Sequence, residues 1–270
     1  MPWYQPVASP AGLDRYLACS WTAAPTGSHR LVPDACIDVV WVSNGALWVC
    51  GPETTAWTFE LAPGTSAVGV RFLPGVGAAL LGVPATQIAD VRTPLEQIVG
   101  TRLESELRDD IERAPDADER RVALERFVDV LVARRAGACR RELEFAERVR
   151  NVLASAPRAN AAQLAEQLGI TVRQLHRRSL GAFGYGPSTL ARLLRLQRFL
   201  SLVEQHERAG RSLAPLAIEA GYSDQPHLAR DCRAITGLAP TTLLAEYFPT
   251  FPDMSDPYKT VDAFATTMKG

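Results

Sequence analysis

Lysine is nearly missing from this chain: only Lys259 and Lys269 occur in 270 residues, so arginine carries almost all of the positive charge. Apolar runs such as Val39 to Val42 and Ala78 to Val83 fall far short of the roughly 18 to 20 residues that cross a bilayer. The N-terminus, Met1-Pro2-Trp3-Tyr4-Gln5-Pro6, has neither a basic n-region nor an apolar core of signal-peptide length, so a cytoplasmic protein is expected. Five cysteines (Cys19, Cys36, Cys50, Cys139, Cys232) form no C-x-x-C pair, which excludes a disulfide framework and a zinc site. Histidine is scarce at four residues (His29, His176, His206, His227), and no nucleophile elbow, phosphate loop or metal signature accompanies them. The chain therefore reads as no enzyme and calls for no cofactor.

With 47% hydrophobic and 22% charged residues the composition is that of an ordinary globular protein, and the length suits two domains. The net charge of −1 hides an asymmetry. Residues 1–154 hold 16 Arg against 20 acidic residues, whereas residues 155–250 hold 11 Arg against 7. Such a basic second half is the electrostatic footprint of a nucleic-acid binder.

Short β-type runs separated by Pro and Gly fill the first ninety residues: Tyr16 to Thr22, Ile37 to Val42, Leu47 to Cys50, Ala56 to Leu61 and Ser66 to Phe72. From Pro94 the period becomes helical, with Leu95, Ile98, Val99, Leu103 and Leu107 on one stripe. A second helix after Pro115 carries Val122, Leu124, Phe127, Val128, Leu131 and Val132. An amphipathic pair of this kind serves equally as a lid over the β module or as a homodimer surface through residues 94–135. A third helix, Glu142 to Leu153, leads into Pro157. The expected division is 1–154, a β-rich sensor domain; 155–250, an all-α domain; and 251–270, a tail.

The second domain contains a repeat. In the stretch from Gln163 to Arg178 a helix stops at Gly169, and another starts where Thr171 and Gln174 spell a capping box. Two helices joined so tightly are a helix-turn-helix. The arrangement recurs 52 to 53 residues on: Leu164-Ala165 matches Leu216-Ala217, Gly169 matches Gly221, Leu175 matches Leu228, Gly184 matches Gly237 and Pro187 matches Pro240. The offset grows by one between Gly221 and Leu228, which predicts an added residue at the start of the second recognition helix. Pro215 and Pro226 each follow a serine, Ser212 and Ser223, by three residues, where a first-turn proline is tolerated.

These residues resemble the AraC/XylS family of transcription regulators over about ninety positions. The likeness rests on Gly221-Tyr222-Ser223-Asp224-Gln225-Pro226-His227-Leu228-Ala229-Arg230 with Thr236-Gly237 and Pro240, and on Gln174 to Arg178 with Gly184-Tyr185-Gly186-Pro187. Ser179 and Cys232 depart from it, standing where the family usually has Phe. Pro33 to Trp41 and Gly69 to Gly75 also resemble a sensor module found on some members. The resemblance implies double-stranded DNA and RNA polymerase as partners and a ligand-responsive activator or repressor. The expected fold is α+β: a β-rich N-terminal domain with following helices, then two tandem helix-turn-helix units joined by a long helix.

In the first recognition helix Val172, Leu175 and Ser179 are expected inward, leaving Arg173, His176 and Arg177 for the groove. In the second, Leu228 and Cys232 point inward and Gln225, Ala229 and Arg230 outward. Helix-start amides near Thr171 and Ser223 are candidate phosphate contacts, while Arg192, Arg195 and Arg198 are either phosphate ligands or surface charge. A joining helix from Ser188 to about Glu204 spans about 25 Å, suited to two grooves about 34 Å apart. In the first domain, Trp21, Trp41 and Trp57 with Asp38 and Arg71 are either core and ion pair or the wall of a small-molecule pocket. Cys36 offers an alternative, a thiol sensing oxidants or alkylating agents, although Asp34 and Asp38 beside it disfavour the thiolate. An enzyme domain fused to the DNA-binding module and a helical adaptor without DNA affinity are the rival classes.

Overall fold

The computed structural model describes residues 4–24, 27–60, 62–206 and 213–247. The expected tail 251–270, the end of the Ala56 to Leu61 run and Ser212 lie outside the described residues.

The N-terminal strands are β1 (Tyr4–Val7), β2 (Leu17–Ala23), β3 (Ser28–Leu31), β4 (Ile37–Val42), β5 (Leu47–Cys50), β6 (Trp57–Glu60), β7 (Ala67–Phe72) and β8 (Arg92–Pro94). Six of them form an antiparallel sheet in the order β1-β2-β7-β4-β5-β8, while β3 and β6 pair as a separate ribbon. Five strands follow the β-type runs. The other three are too short or too polar to announce themselves: Gln5, Pro6, Ser28, Arg30 and Arg92 draw their pairing from neighbours, not from propensity.

Alternation along the strands assigns the faces. Ile37, Val39 and Trp41 of β4 and Val68, Val70 and Phe72 of β7 belong to the first hydrophobic core. Over that face lies α4 (Ala117–Arg135), packed on β2 and β7 through Leu124, Phe127, Val128 and Leu131. Asp116 caps it by accepting from the Glu119 amide, and Glu125 accepts from Ser20 of β2 at 2.6 Å, fixing helix to sheet. Ahead of it come α1 (Gly77–Leu81), a 3-10 turn at Ala85–Gln87, α2 (Leu95–Val99) and α3 (Thr101–Arg113). The single helix expected from Pro94 is broken at Gly100, whose φ of +83° no helix accommodates. Leu103, Leu107, Ile111 and most of the apolar stripe of α4 are buried within the chain, against the sheet and each other.

After α4 come α5 (Arg140–Ser155), α6 (Ala161–Leu168), α7 (Val172–Phe183), α8 (Pro187–His206), α9 (Leu213–Ala220), α10 (Gln225–Thr236) and α11 (Pro240–Tyr247). They surround a second core, built on Leu193, Leu196, Phe199 and Leu200 of α8. Phe145, Ala146, Val149 and Leu153 of α5 pack into this second core, although the helix precedes the expected boundary after residue 154.

Candidate nucleic-acid interface

The two helix pairs α6–α7 and α9–α10 are built alike from the repeated residues. Leu164, Ala165, Leu216 and Ala217 are all buried, and Leu175 and Leu228 are fully so. At each pair's turn a glycine takes a positive φ, +67° at Gly169 and +101° at Gly221, a conformation that side chains other than glycine resist. The helix starts are satisfied locally. Asn160 and Gln163 form a capping box on α6, and Thr171 and Gln174 form one on α7, as the sequence predicts.

The second recognition helix differs from expectation at its start. Its cap is Asp224, whose Oδ1 accepts from the His227 amide at 2.6 Å, while Ser223 lies before the helix and meets His227 Nδ1 at 3.1 Å. Both recognition helices have 12 residues. The added residue therefore lengthens the turn, three residues between Gly221 and Gln225 against two between Gly169 and Val172, and leaves the helix length unchanged. Pro226 sits in the first turn of α10, where its missing amide has no helical partner to lose.

On α7, Leu175, Ser179 and Phe183 are buried at four-residue spacing. Val172, expected inward, is 48% exposed, because the first turn of the helix stands clear of the core. Arg173, His176 and Arg177 are exposed beside it. On α10, Leu228, Cys232 and Ile235 are buried, Gln225 and Arg230 are exposed and Ala229 is half-buried. Each unit thus presents polar side chains at the start of a helix whose opposite face is anchored. Ser179 and Cys232 are both fully buried, in a core that also holds Phe183, Phe199 and Tyr222.

The joining helix α8 runs 20 residues, about 30 Å at about 1.5 Å per residue. Its arginines are tied within the chain. Arg192 Nε donates to Asp231 at 2.9 Å, Arg195 donates to the Pro157 carbonyl at 3.1 and 3.2 Å, and Arg198 donates to the Ala154 carbonyl at 2.9 Å. Arg195 also lies 5.4 Å over the Tyr222 ring. Their task is to hold α8 to α10, to the last turn of α5 and to the loop after it, a third possibility that the sequence did not raise.

In the first domain the sheet register separates the expected pocket residues. Trp21, Asp38 and Arg71 share the face away from α4, with Tyr4 beside them at 5.5 Å from Trp21. Arg71 pairs with Asp38 at 3.1 Å and Asp34 at 3.0 Å, and Trp21 Nε1 donates to Asp38 at 3.1 Å. Trp41 points to the opposite face, under α4, with Arg120 5.0 Å over its ring. Trp57 of the ribbon faces the sheet, stacked 3.6 Å from the Arg92 guanidinium. Cys36 is buried; burial, then Asp34, pushes its thiol well above the ordinary range.

Two helix-turn-helix units in tandem, basic and joined by one long helix, define a DNA-reading domain. Residues 164–246 match the family model described as a helix-turn-helix domain, and residues 5–94 match one described as a domain of unknown function (DUF6597). No curated protein matches the chain by sequence. Among solved structures, ToxT from Vibrio cholerae O395 aligns with a TM-score of 0.45 at 11% identity, over 90% of this chain and 98% of its own. Another ToxT crystal form aligns at 0.43 and 10% identity over 91% and 99%. ToxT of Vibrio cholerae strain SCE256 with unsaturated fatty acid bound aligns at 0.43 and 11% over 83% and 93%. Residues 164–246 are thus a helix-turn-helix domain, the class of fold that places a recognition helix in DNA.

Proposed function

We propose that one molecule sets α7 and α10 into successive major grooves and reads a directional operator. Arg173, His176 and Arg177 would contact bases in one groove and Gln225, Ala229 and Arg230 in the other, with amides at the starts of α7 and α10 on phosphates. The observation that carries this reading is the pairing of exposed Arg and Gln side chains with helix starts anchored by Leu175 and Leu228. Arg suits guanine and Gln suits adenine, while the Ala229 methyl suits thymine. Because the two helices differ in sequence, the operator has no internal symmetry.

The face bearing Trp21, Asp38 and Arg71, opposite Trp57 of the ribbon, is the place for a small-molecule effector. Aromatic walls around a few fixed charges are the composition of such sites. The resemblance to AraC/XylS regulators adds RNA polymerase as a protein partner and the cytoplasm as the compartment. Among the described residues no group of His, Cys, Asp and Glu could hold a metal ion, and no helix is long and apolar enough to cross a membrane.

Selection of bound fragments from random DNA, followed by affinity measurement at rising salt, tests the reading. A single asymmetric site of two half-sites, with affinity falling linearly in log salt, is expected. Failure to enrich any sequence would overturn it.

A further inference from the structure

Residues 30–36, the end of β3 and the segment that joins it to the sheet, belong to the first domain by sequence and to the second by packing. Val32 and Ala35 are buried in the core of the helical half, not in the core beneath α4. Between them the Pro33 carbonyl accepts from Gln197 of α8 at 2.8 Å, and Gln197 is 1% exposed. At one end of the segment, Arg30 Nε meets both carboxylate oxygens of Glu246 in α11, at 3.1 and 3.2 Å. The Tyr247 hydroxyl donates to the Arg30 carbonyl. The ribbon adds a main-chain bond to the same unit, from the Ala56 amide to the carbonyl of Ile235 near the end of α10, at 2.7 Å. At the other end Asp34 pairs with Arg71 at 3.0 Å, and Arg71 pairs with Asp38.

Seven consecutive residues thus touch the second helix-turn-helix unit, the joining helix and the buried ion cluster of the sheet in turn. The segment is held under local strain, since Ala35 takes a φ of +67°, which L residues rarely adopt. It holds α11 through Glu246 and Tyr247 and meets the last residue of α10, where Arg30 Nη1 lies 3.5 Å from the Thr236 carbonyl, eleven positions beyond Gln225. Across a helix about 18 Å long, a small tilt at that end displaces the reading end.

We propose that residues 30–36 are a positioning strap: they fix the second recognition helix relative to the first and tie its placement to the Arg71 ion cluster. Arg30 and Asp34 are positioning residues, acting on DNA through α10 without touching it. The proposal rests on the two-groove reading above. With the second unit held in place, both half-sites are engaged at once without a separate ordering cost. Freed from the strap, that unit keeps its tie to α8 at Asp231 but loses its tie to the sheet.

The test compares affinity for the selected operator with affinity for the same fragment carrying a scrambled second half-site. Wild-type protein is expected to prefer the intact fragment. In Arg30→Ala with Tyr247→Phe that preference should fall about tenfold, the scale of an ordinary coupling between sites, with binding to the scrambled fragment unchanged. Asp34→Asn, which keeps the side chain's shape, should lower the preference in the same sense. Arg30→Glu alone should lower it and Arg30→Glu with Glu246→Arg should restore it. An unchanged preference in the variants, or an equal loss on both fragments, overturns the strap while leaving DNA reading intact. A wild-type protein indifferent to the second half-site overturns the two-groove reading itself, and the strap with it.

Discussion

Arg192 of the joining helix donates to Asp231 of the second recognition helix at 2.9 Å, and Asp231 is 6% exposed. Arg195 reaches the same carboxylate at 3.6 Å and His227 at 3.8 Å. One buried carboxylate therefore gathers three groups from two helices and sets the angle between α8 and α10. Asp231→Ala would leave the mostly buried Arg195 without a carboxylate, held only by the Pro157 carbonyl and the Tyr222 ring, and should cost about 3 kcal/mol, since breaking a buried pair leaves an uncompensated charge. Chemical denaturation measures this; a variant as stable as wild type would contradict it.

The start of α10 gives a sharper contrast. Asp224→Ala removes the cap and should destabilise by about 1 kcal/mol, as should Thr171→Ala at the start of α7. Ser223→Ala, outside the helix, should leave the denaturation midpoint where it is. Equal losses from Asp224→Ala and Ser223→Ala would contradict Asp224 as the cap.

Arg177 and Arg230 are exposed on the two recognition helices. Replacing either with Ala should weaken specific binding by about 1 to 3 kcal/mol and relax the preference at one base position. The position relaxed should lie in a different half-site for each. Unaltered footprints for both variants would sink the assignment.

Glu53 lies 2.6 Å from Arg92, and burial pushes its carboxyl up to about 7 against the pull of Arg92, with Asp90 adding to the rise. In the unfolded chain the group titrates near its ordinary value of 4.5. The fold therefore favours the protonated form: the stabilisation is complete below that ordinary value and lost as pH rises through about 7. Glu53→Gln mimics the neutral carboxyl. Between about pH 5 and pH 8 the melting temperature of wild type should fall relative to the variant; parallel curves would refute the shift.

Burial and Asp34 hold the Cys36 thiol protonated, and its amide is engaged by Asp34 at 2.9 Å. Iodoacetamide should label this residue only after denaturation. Peroxide should leave operator affinity equal in wild type and Cys36→Ser. A loss of affinity confined to wild type would revive the thiol-sensor reading.

Much of the second domain was legible because local chemistry decides it. Glycines at left-handed turns, a Thr and Gln at a helix start and leucines at helical spacing each act within a few residues, and their recurrence put the two units in register. Strands rich in Val, Ile and Trp were legible for the same reason. Others were not: β1, β3 and β8 exist because partners lie beside them, and the sequence around Gln5 or Arg30 carries no such signal. The added residue before Leu228 was visible as an offset, but whether it entered the helix or the turn depended on which acidic or hydroxyl side chain reached the first free amides.

By itself the sequence determined the class of this protein, two anchored recognition helices on a basic, arginine-bearing domain, because that pattern is written in short-range spacing. Only the tertiary structure decided where longer-range partners fall. The sheet's pleat turned Trp41 away from Trp21, and the packing of α8 made ties to Asp231 and Pro157 out of Arg192, which stays partly exposed, and the buried Arg195. The loop from Arg30 to Cys36 entered the core of the helical half because Val32 and Ala35 find apolar neighbours there. Such contacts join residues from 38 to 164 positions apart, and no local spacing records them.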